Sequence, residues 1–199
     1  YFADLSGALI VCCRMSSRHP YQINAVEDAL GAEPIERKED LEREVFLLSM
    51  VNALSGTLQD VVGLKDAEGY ISTVGERIGE TICGAYRNSS DNGEITPDDL
   101  SYILTDLKAR IGGTFKVESE DSKTIEFSNT KCPFGSFVDG RPSLCMMTSN
   151  VFGTIAATLH GEARVELLKT IANGDGCCSV LVHTDGSAGG GRRYFAYDD

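Results

Sequence analysis

The stretch Gly112–Ser128, GGTFKVESEDSKTIEFS, decides the fold. Gly112-Gly113 stops the helix that precedes it. Thr114 to Glu118 and Thr124 to Ser128 then read as two strands around the polar turn Ser119 to Lys123, a hairpin. Upstream, the signals are helical. Thr96-Pro97-Asp98-Asp99 is a helix start, with Thr96 as cap and Pro97 at the first position, and this helix runs to about Arg110. An earlier helix runs from Glu36 to Val62, with acidic first turns and Gly63 as its end. Its two apolar sets, one with Leu41, Val45 and Leu48 and the other with Phe46, Met50, Leu54 and Val61, predict packing on more than one side. A helix from Asp66 to Tyr86 carries Gly69, Gly75, Gly79 and Gly84, which permit close approach of another helix or a ligand. Downstream, Ser143 caps a helix that ends near Gly161. Ala163 to Ile171 and Cys178 to His183 are strands joined through Asn173-Gly174-Asp175-Gly176. Helices followed by hairpin, helix and hairpin predict an α+β fold with helices packed on an antiparallel sheet.

The 199 residues suffice for one domain with a small appendage, and 42% of them are hydrophobic. Residues 1–35 read as a separate N-terminal segment, 36–185 as the domain, and 186–199 as a Gly-rich tail in which Arg192 to Tyr197 is a candidate edge strand. The net charge of −12 repels phosphate backbones, so direct nucleic-acid binding is not expected. The apolar run Ala8 to Cys13 is too short to span a membrane, and no other run approaches the roughly 18 residues required. The seven cysteines are an odd number, and Cys12-Cys13 and Cys177-Cys178 are vicinal. This usage predicts free or metal-bound thiols in a reducing compartment, the cytoplasm.

Three cysteines fall at junctions between predicted elements. Cys132 opens Cys132-Pro133-Phe134-Gly135, just after a strand. Cys145 follows with twelve residues between them, in the first turn of a helix whose dipole is expected to lower its pKa. Cys178 begins a strand. Three thiolates brought together there would hold a metal ion or an iron–sulfur cluster. His160 is a poor fourth ligand, because an unbroken helix places it roughly 22 Å from Cys145. Cys83, water or a signal molecule remain for the fourth position. The alternative is that all three are buried free thiols.

From about Glu44 to Leu181 the chain resembles the methanogen output domain, a signalling module related to the vinyl-reductase-like ligand-binding domains. The residues that carry the resemblance are Val74-Gly75-Glu76-Arg77-Ile78-Gly79, Lys108-Ala109-Arg110-Ile111-Gly112-Gly113 with Phe115, Cys132-Pro133-Phe134-Gly135, the run Leu144 to Gly153, and Ile171-Ala172-Asn173-Gly174-Asp175 with Cys178. The resemblance implies regulation rather than catalysis. The spacing from Cys132 to Cys145 is also similar to the cluster-binding region of the Suf repressor, an iron–sulfur-responsive regulator, but the further cysteine of that family is absent around Leu159-His160. Some vinyl-reductase-like sensor domains carry a cysteine-bound zinc near a comparable Gly-Asp-x-x-Cys run, so zinc stands beside a cluster as the expected cofactor.

The expected function is a sensory or output domain with Cys132, Cys145 and Cys178 as ligands of an iron–sulfur cluster or zinc, acting on a homodimer partner or an attached signalling domain. The alternative is a binding domain for a small apolar molecule, with structural cysteines. Glu166 matches the region of a functional glutamate in vinyl-reductase-like relatives, but an exposed strand carboxylate is the plainer reading. Met146, Met147 and Phe152 read as core before they read as a pocket. Arg192-Arg193 reads as a solvated basic spot. Gly189-Gly190-Gly191 lacks the Lys-Ser/Thr of a phosphate loop. His19 and His183 have no evident partners.

Overall fold

The computed structural model describes residues 42–90, 92–185 and 189–196. The N-terminal segment 1–35 and the start of the first predicted helix lie outside them. Four α-helices pack on a five-stranded antiparallel sheet: α1 (Arg43–Val62), α2 (Leu64–Ser89), α3 (Leu100–Arg110) and α4 (Pro142–His160). The strands are β1 (Lys116–Glu120), β2 (Thr124–Asn129), β3 (Glu162–Lys169), β4 (Cys178–His183) and β5 (Arg192–Phe195), in the order β1-β2-β4-β3-β5.

The expected α+β order is present, with three adjustments. Thr96 and Asp99 form a reciprocal capping box, but Pro97–Asp99 is a 3₁₀ turn and the α-helix starts at Leu100. Ser143 does not cap α4: Arg141 holds the cap position and Pro142 is the first helical residue, which places Ser143 inside the helix, fully buried. The β3–β4 connection is not a tight turn. A 3₁₀ turn, Ile171–Asn173, is held by Thr170 N–H donating to Asp175 Oδ2 at 2.8 Å, and Gly174 takes the positive φ that closes it.

Alternation in the strands explains which sheet face is covered. Ile125, Phe127 and Asn129 on β2 face inward, as do Val180 and Val182 on β4 and Ala163 and Val165 on β3. α4 rests on this face, and Phe152 meets Phe127 and Phe115 edge-to-face at centroid distances of 5.7 and 5.5 Å. α2 packs on the opposite side of α4. A Cβ on Gly75 would lie 2.5 Å from Asn150 Cβ, and one on Gly79 would lie 2.8 Å from Thr154 Cβ. These two glycines therefore serve helix packing, whereas Gly69 and Gly84 face open space.

Arg192 and Arg193 do more than sit in solvent. Arg192 pairs with Glu68 of α2 at 3.1 Å, and Arg193 Nε donates to Glu162 of β3 at 2.8 Å. Tyr194, which follows them, lies against Gly153 of α4 and shares a hydrogen bond with Ser149 at 2.9 Å. Part of the stretch read as a tail thus supplies the fifth strand.

α1 is only partly covered. Ser55 and Gly56 are buried, while Leu47, Met50, Leu54 and Val61 are exposed, the last two at 66% and 76%. By length and composition alone it is long and apolar enough to cross a membrane, with a mean hydropathy of 1.4, although its polar residues interrupt every continuous apolar run. Asn52, Ser55 and Gln59 lie on its packed side.

Candidate functional site: a buried lysine among three cysteines

Three junctions meet beside the end of α3. β2 ends at Asn129, a fully buried residue whose Oδ1 accepts from Thr114 N at 2.9 Å and from Thr114 Oγ1 at 3.0 Å. This brace fixes the chain entering the turn that bears Cys132. Gly113 lies against Pro133, where an added Cβ would come within 3.1 Å of the ring. α4 then starts with Cys145 in its first turn, and β4 starts with Cys178. The three cysteines expected to act together do converge: each lies within electrostatic reach of the other two and of Lys108.

Lys108 was not among the expected site residues. It is 4% exposed, and its Nζ donates to Thr148 Oγ1 at 2.9 Å while standing 5.3 Å from the ring centroids of both Phe115 and Phe152. The sequence did carry a signal. Leu100, Leu104 and Lys108 recur every four residues, so Lys108 shares the buried face of α3 with two fully buried leucines. An ammonium has three donors, and one is spent on Thr148. Burial holds its pKa down to about 8, offset in part by the nearby thiols.

Burial acts on Cys132 and Cys145 in the opposite direction. The Cys145 thiol is pushed up to about 11, first by burial and then by its cysteine neighbours, and Cys132 is raised for the same first reason. The expected lowering of the Cys145 pKa by the helix start is therefore overturned, because loss of water outweighs the dipole of the first turn. Hydrogen bonds from Phe134 N to Cys132 and from the Thr170 side chain to Cys145 oppose the rise only in part.

These groups line a small, partly open chamber of about 30 Å³, walled also by Phe134, Val138, Leu144 and Leu167. That is room for one or two waters or a single ion. Among the described residues, no three His, Cys, Asp or Glu are placed to hold a metal ion. Cys83 is not part of the site: it is buried on α2 in the main core, beside Thr158. His160 ends α4, which is continuous through Gly153, and lies near Pro97 and Asp98. Glu166 points away from the inward row of β3 and lies under Gly190. Neither ring nitrogen of His183 has a hydrogen-bond partner.

A smaller core cluster connects the chamber to α1. Val138, Leu144 and Ala172 form its centre, with Val51 of α1, Cys132, Phe134 and Cys145 packed around it. Arg141, at the N-cap of α4, lies over Gly56 of α1 and pairs with Asp60 at 3.5 Å.

The fold is similar to the crystal structure of the phenol-responsive sensory domain of the transcription activator PoxR with phenol. The TM-score is 0.57 at 16% identity, covering 69% of this chain and 74% of that one. Comparison with curated proteins finds no match. The model of the family described as methanogen output domain 1 matches residues 46–183, a span containing Lys108, all three cysteines and every strand except β5. The chain belongs to the methanogen output domain 1 family.

Proposed function

We propose that this chain is a signal-transduction module that reads the occupancy of the Lys108 chamber by a small, mostly apolar molecule bearing one hydrogen-bonding oxygen. The observation that carries this reading is Lys108 itself. A nearly sealed ammonium with donors to spare, set between aromatic rings, is costly unless something accepts from it. A phenol or similar compound has the required apolar body and oxygen, and the likeness to a phenol-responsive domain supports that class.

Size suggests how binding would be transmitted. At about 30 Å³ the chamber is far below the roughly 150 Å³ that accommodates a benzene ring. An aromatic ligand enters only if the Pro133-Phe134 turn and the Val138–Leu144 cluster move. α1 rests on that cluster through Val51 and is tied to the start of α4 through Arg141. Ligand binding therefore favours a state in which α1 is repositioned, and the ligand's preference for that state sets the size of the shift. On the outward side of α1, Leu47, Met50, Leu54, Thr57 and Val61 recur in steps of three and four, the spacing of a two-helix seam. This face would hand the signal to a second copy or an attached domain.

A second reading starts from the three thiols lining one chamber. Cys132, Cys145 and Cys178 would bind zinc or an iron–sulfur cluster after losing their protons and drawing closer together than they stand in this structure. Three thiolates with a divalent ion carry one net negative charge, which the Lys108 ammonium would offset.

One pair of measurements separates these readings. Protein purified without oxygen is assayed for zinc and iron, and its thermal unfolding is followed with and without phenol. The ligand reading expects a concentration-dependent rise in Tm, abolished in Lys108→Met. No shift with phenol or related aryl alcohols overturns it, and stoichiometric zinc or an air-bleached visible absorbance would favour the second reading.

A further inference from the structure

A larger cavity lies on the other side of α3. The C-terminal third of α2, the Glu94–Asp99 segment and α3 enclose a groove of about 430 Å³, within the size range of small-molecule sites. It shares no lining residue with the Lys108 chamber. Its floor is aliphatic, formed by Ile82, Ile95 and Ile103, and Tyr86 and Tyr102 stand on its walls. Tyr102 is 61% exposed.

The charges at the rim are unequal. Arg110 Nε donates to Asp106 Oδ2 at 2.6 Å, and Tyr86 Oη donates to the same oxygen at 2.6 Å, so the guanidinium is already neutralised. Asp99 accepts from Thr96 N at 2.7 Å and Thr96 Oγ1 at 2.9 Å, which holds its carboxyl below the usual range. Neither Asp99 nor Glu94 has an ion-pair partner among the described residues. The groove therefore combines an apolar floor, two aromatic faces and two uncompensated negative charges. An anion is repelled by this rim, and a neutral apolar molecule leaves its charges unused. An alkylammonium satisfies all three features, because its carbons cover the isoleucines and its diffuse charge lies near tyrosine faces and carboxylates.

We infer that this groove is a binding site for small organic cations, of the substituted or quaternary ammonium class, separate from the Lys108 chamber. The probe is benzyltrimethylammonium, titrated into the full chain by calorimetry, with benzyl alcohol and benzoate as the neutral and anionic counterparts. The expected result is roughly millimolar affinity for the cation, weakened by added salt, with the alcohol weaker and benzoate not binding. Tyr102→Ala and Glu94→Gln are each expected to weaken cation binding roughly two- to fivefold. Both residues are exposed and neither belongs to the capping box, so the fold should survive; the unfolding temperature verifies this. In methyl NMR spectra, Ile82, Ile95 and Ile103 should shift while Ile125 and Ile171 stay in place. Equal binding of cation and alcohol, unchanged affinity in both variants, or shifts confined to residues outside the groove would overturn the inference. Binding that persists in Lys108→Met separates this site from the chamber, so failure of one reading does not decide the other.

Discussion

α4 and α1 are nearly equal in length, at 19 and 20 residues, and both are rich in apolar side chains, yet they occupy opposite environments. α4 is buried along eleven positions because it has partners on several sides: the sheet beneath, α2 above, and Tyr194 against Gly153. α1 buries only Ser55 and Gly56 and leaves a regular apolar stripe facing outward. Hydrophobicity is shared by the two helices, so it does not explain the difference. Small residues do: Gly75, Gly79 and Gly153 allow close packing around α4, whereas the outward face of α1 is exposed among the described residues. α4 is the centre of the domain, and α1 lies at its edge with an apolar face exposed.

The strongest test of that contrast is the α4 core. Phe152→Ala removes a fully buried ring that touches both Phe115 and Phe127 and should cost about 3–5 kcal/mol of stability by denaturant unfolding. A loss under about 1 kcal/mol would show that α4 is not the centre of the domain.

Lys108→Met should act with the opposite sign, stabilising by about 1–3 kcal/mol near neutral pH by replacing a buried charge with an apolar chain. The pH profile gives the same test in the unmodified chain. Lys108 releases its proton near 8 when folded and at 10.5 ordinarily. Between those values the unfolded chain binds the extra proton, so stability climbs as pH rises through the window. Cys145 opposes this: its folded value is about 11 against 9.0, so the folded chain keeps the proton and stability falls across that interval. Cys132 and Cys83, also raised above 9.0 by burial, act in the same direction as Cys145, so the expected profile rises above pH 8, peaks near 9 and falls beyond it, and the rise disappears in Lys108→Met. Urea unfolding at stepped pH checks it, and a rise that survives the substitution would assign it to another group.

Smaller effects probe the attachment of α1. Arg141→Ala removes the pairing with Asp60 and the cover over Gly56 and should cost about 0.5–1 kcal/mol. Hydrogen exchange should rise in α1 and remain unchanged in the middle of α4. Smallest for stability is Leu54→Gln, expected within about 0.5 kcal/mol because the side chain is 66% exposed. If the outward stripe is an interface, the same change should weaken self-association in sedimentation experiments, and an unchanged sedimentation profile would remove the stripe from the output route.

Much of this organisation was legible because it is local. The Gly112-Gly113 stop, the Thr96 box and the strand alternation depend on neighbours a few residues away. The convergence of Cys132, Cys145 and Cys178 could be read from their positions at junctions. Lys108 was missed because a lysine is ordinarily assigned to the surface, although its four-residue spacing from Leu104 placed it inside. The pKa of Cys145 was read in the wrong direction because the helix start is visible in the sequence and the walls of the chamber are not.

What the sequence determined alone was the succession of helices and strands, the apolar stripes and the candidate thiols, all of them consequences of backbone preference and short-range periodicity. Only the tertiary structure decided that β4 lies between β2 and β3, that β5 joins the sheet beside β3, and that Lys108 lines the same pocket as the three thiols. Those outcomes depend on which distant surfaces exclude water from one another. Burial of that kind sets the charge state of Lys108 and Cys145, and with it the chemistry available to the site.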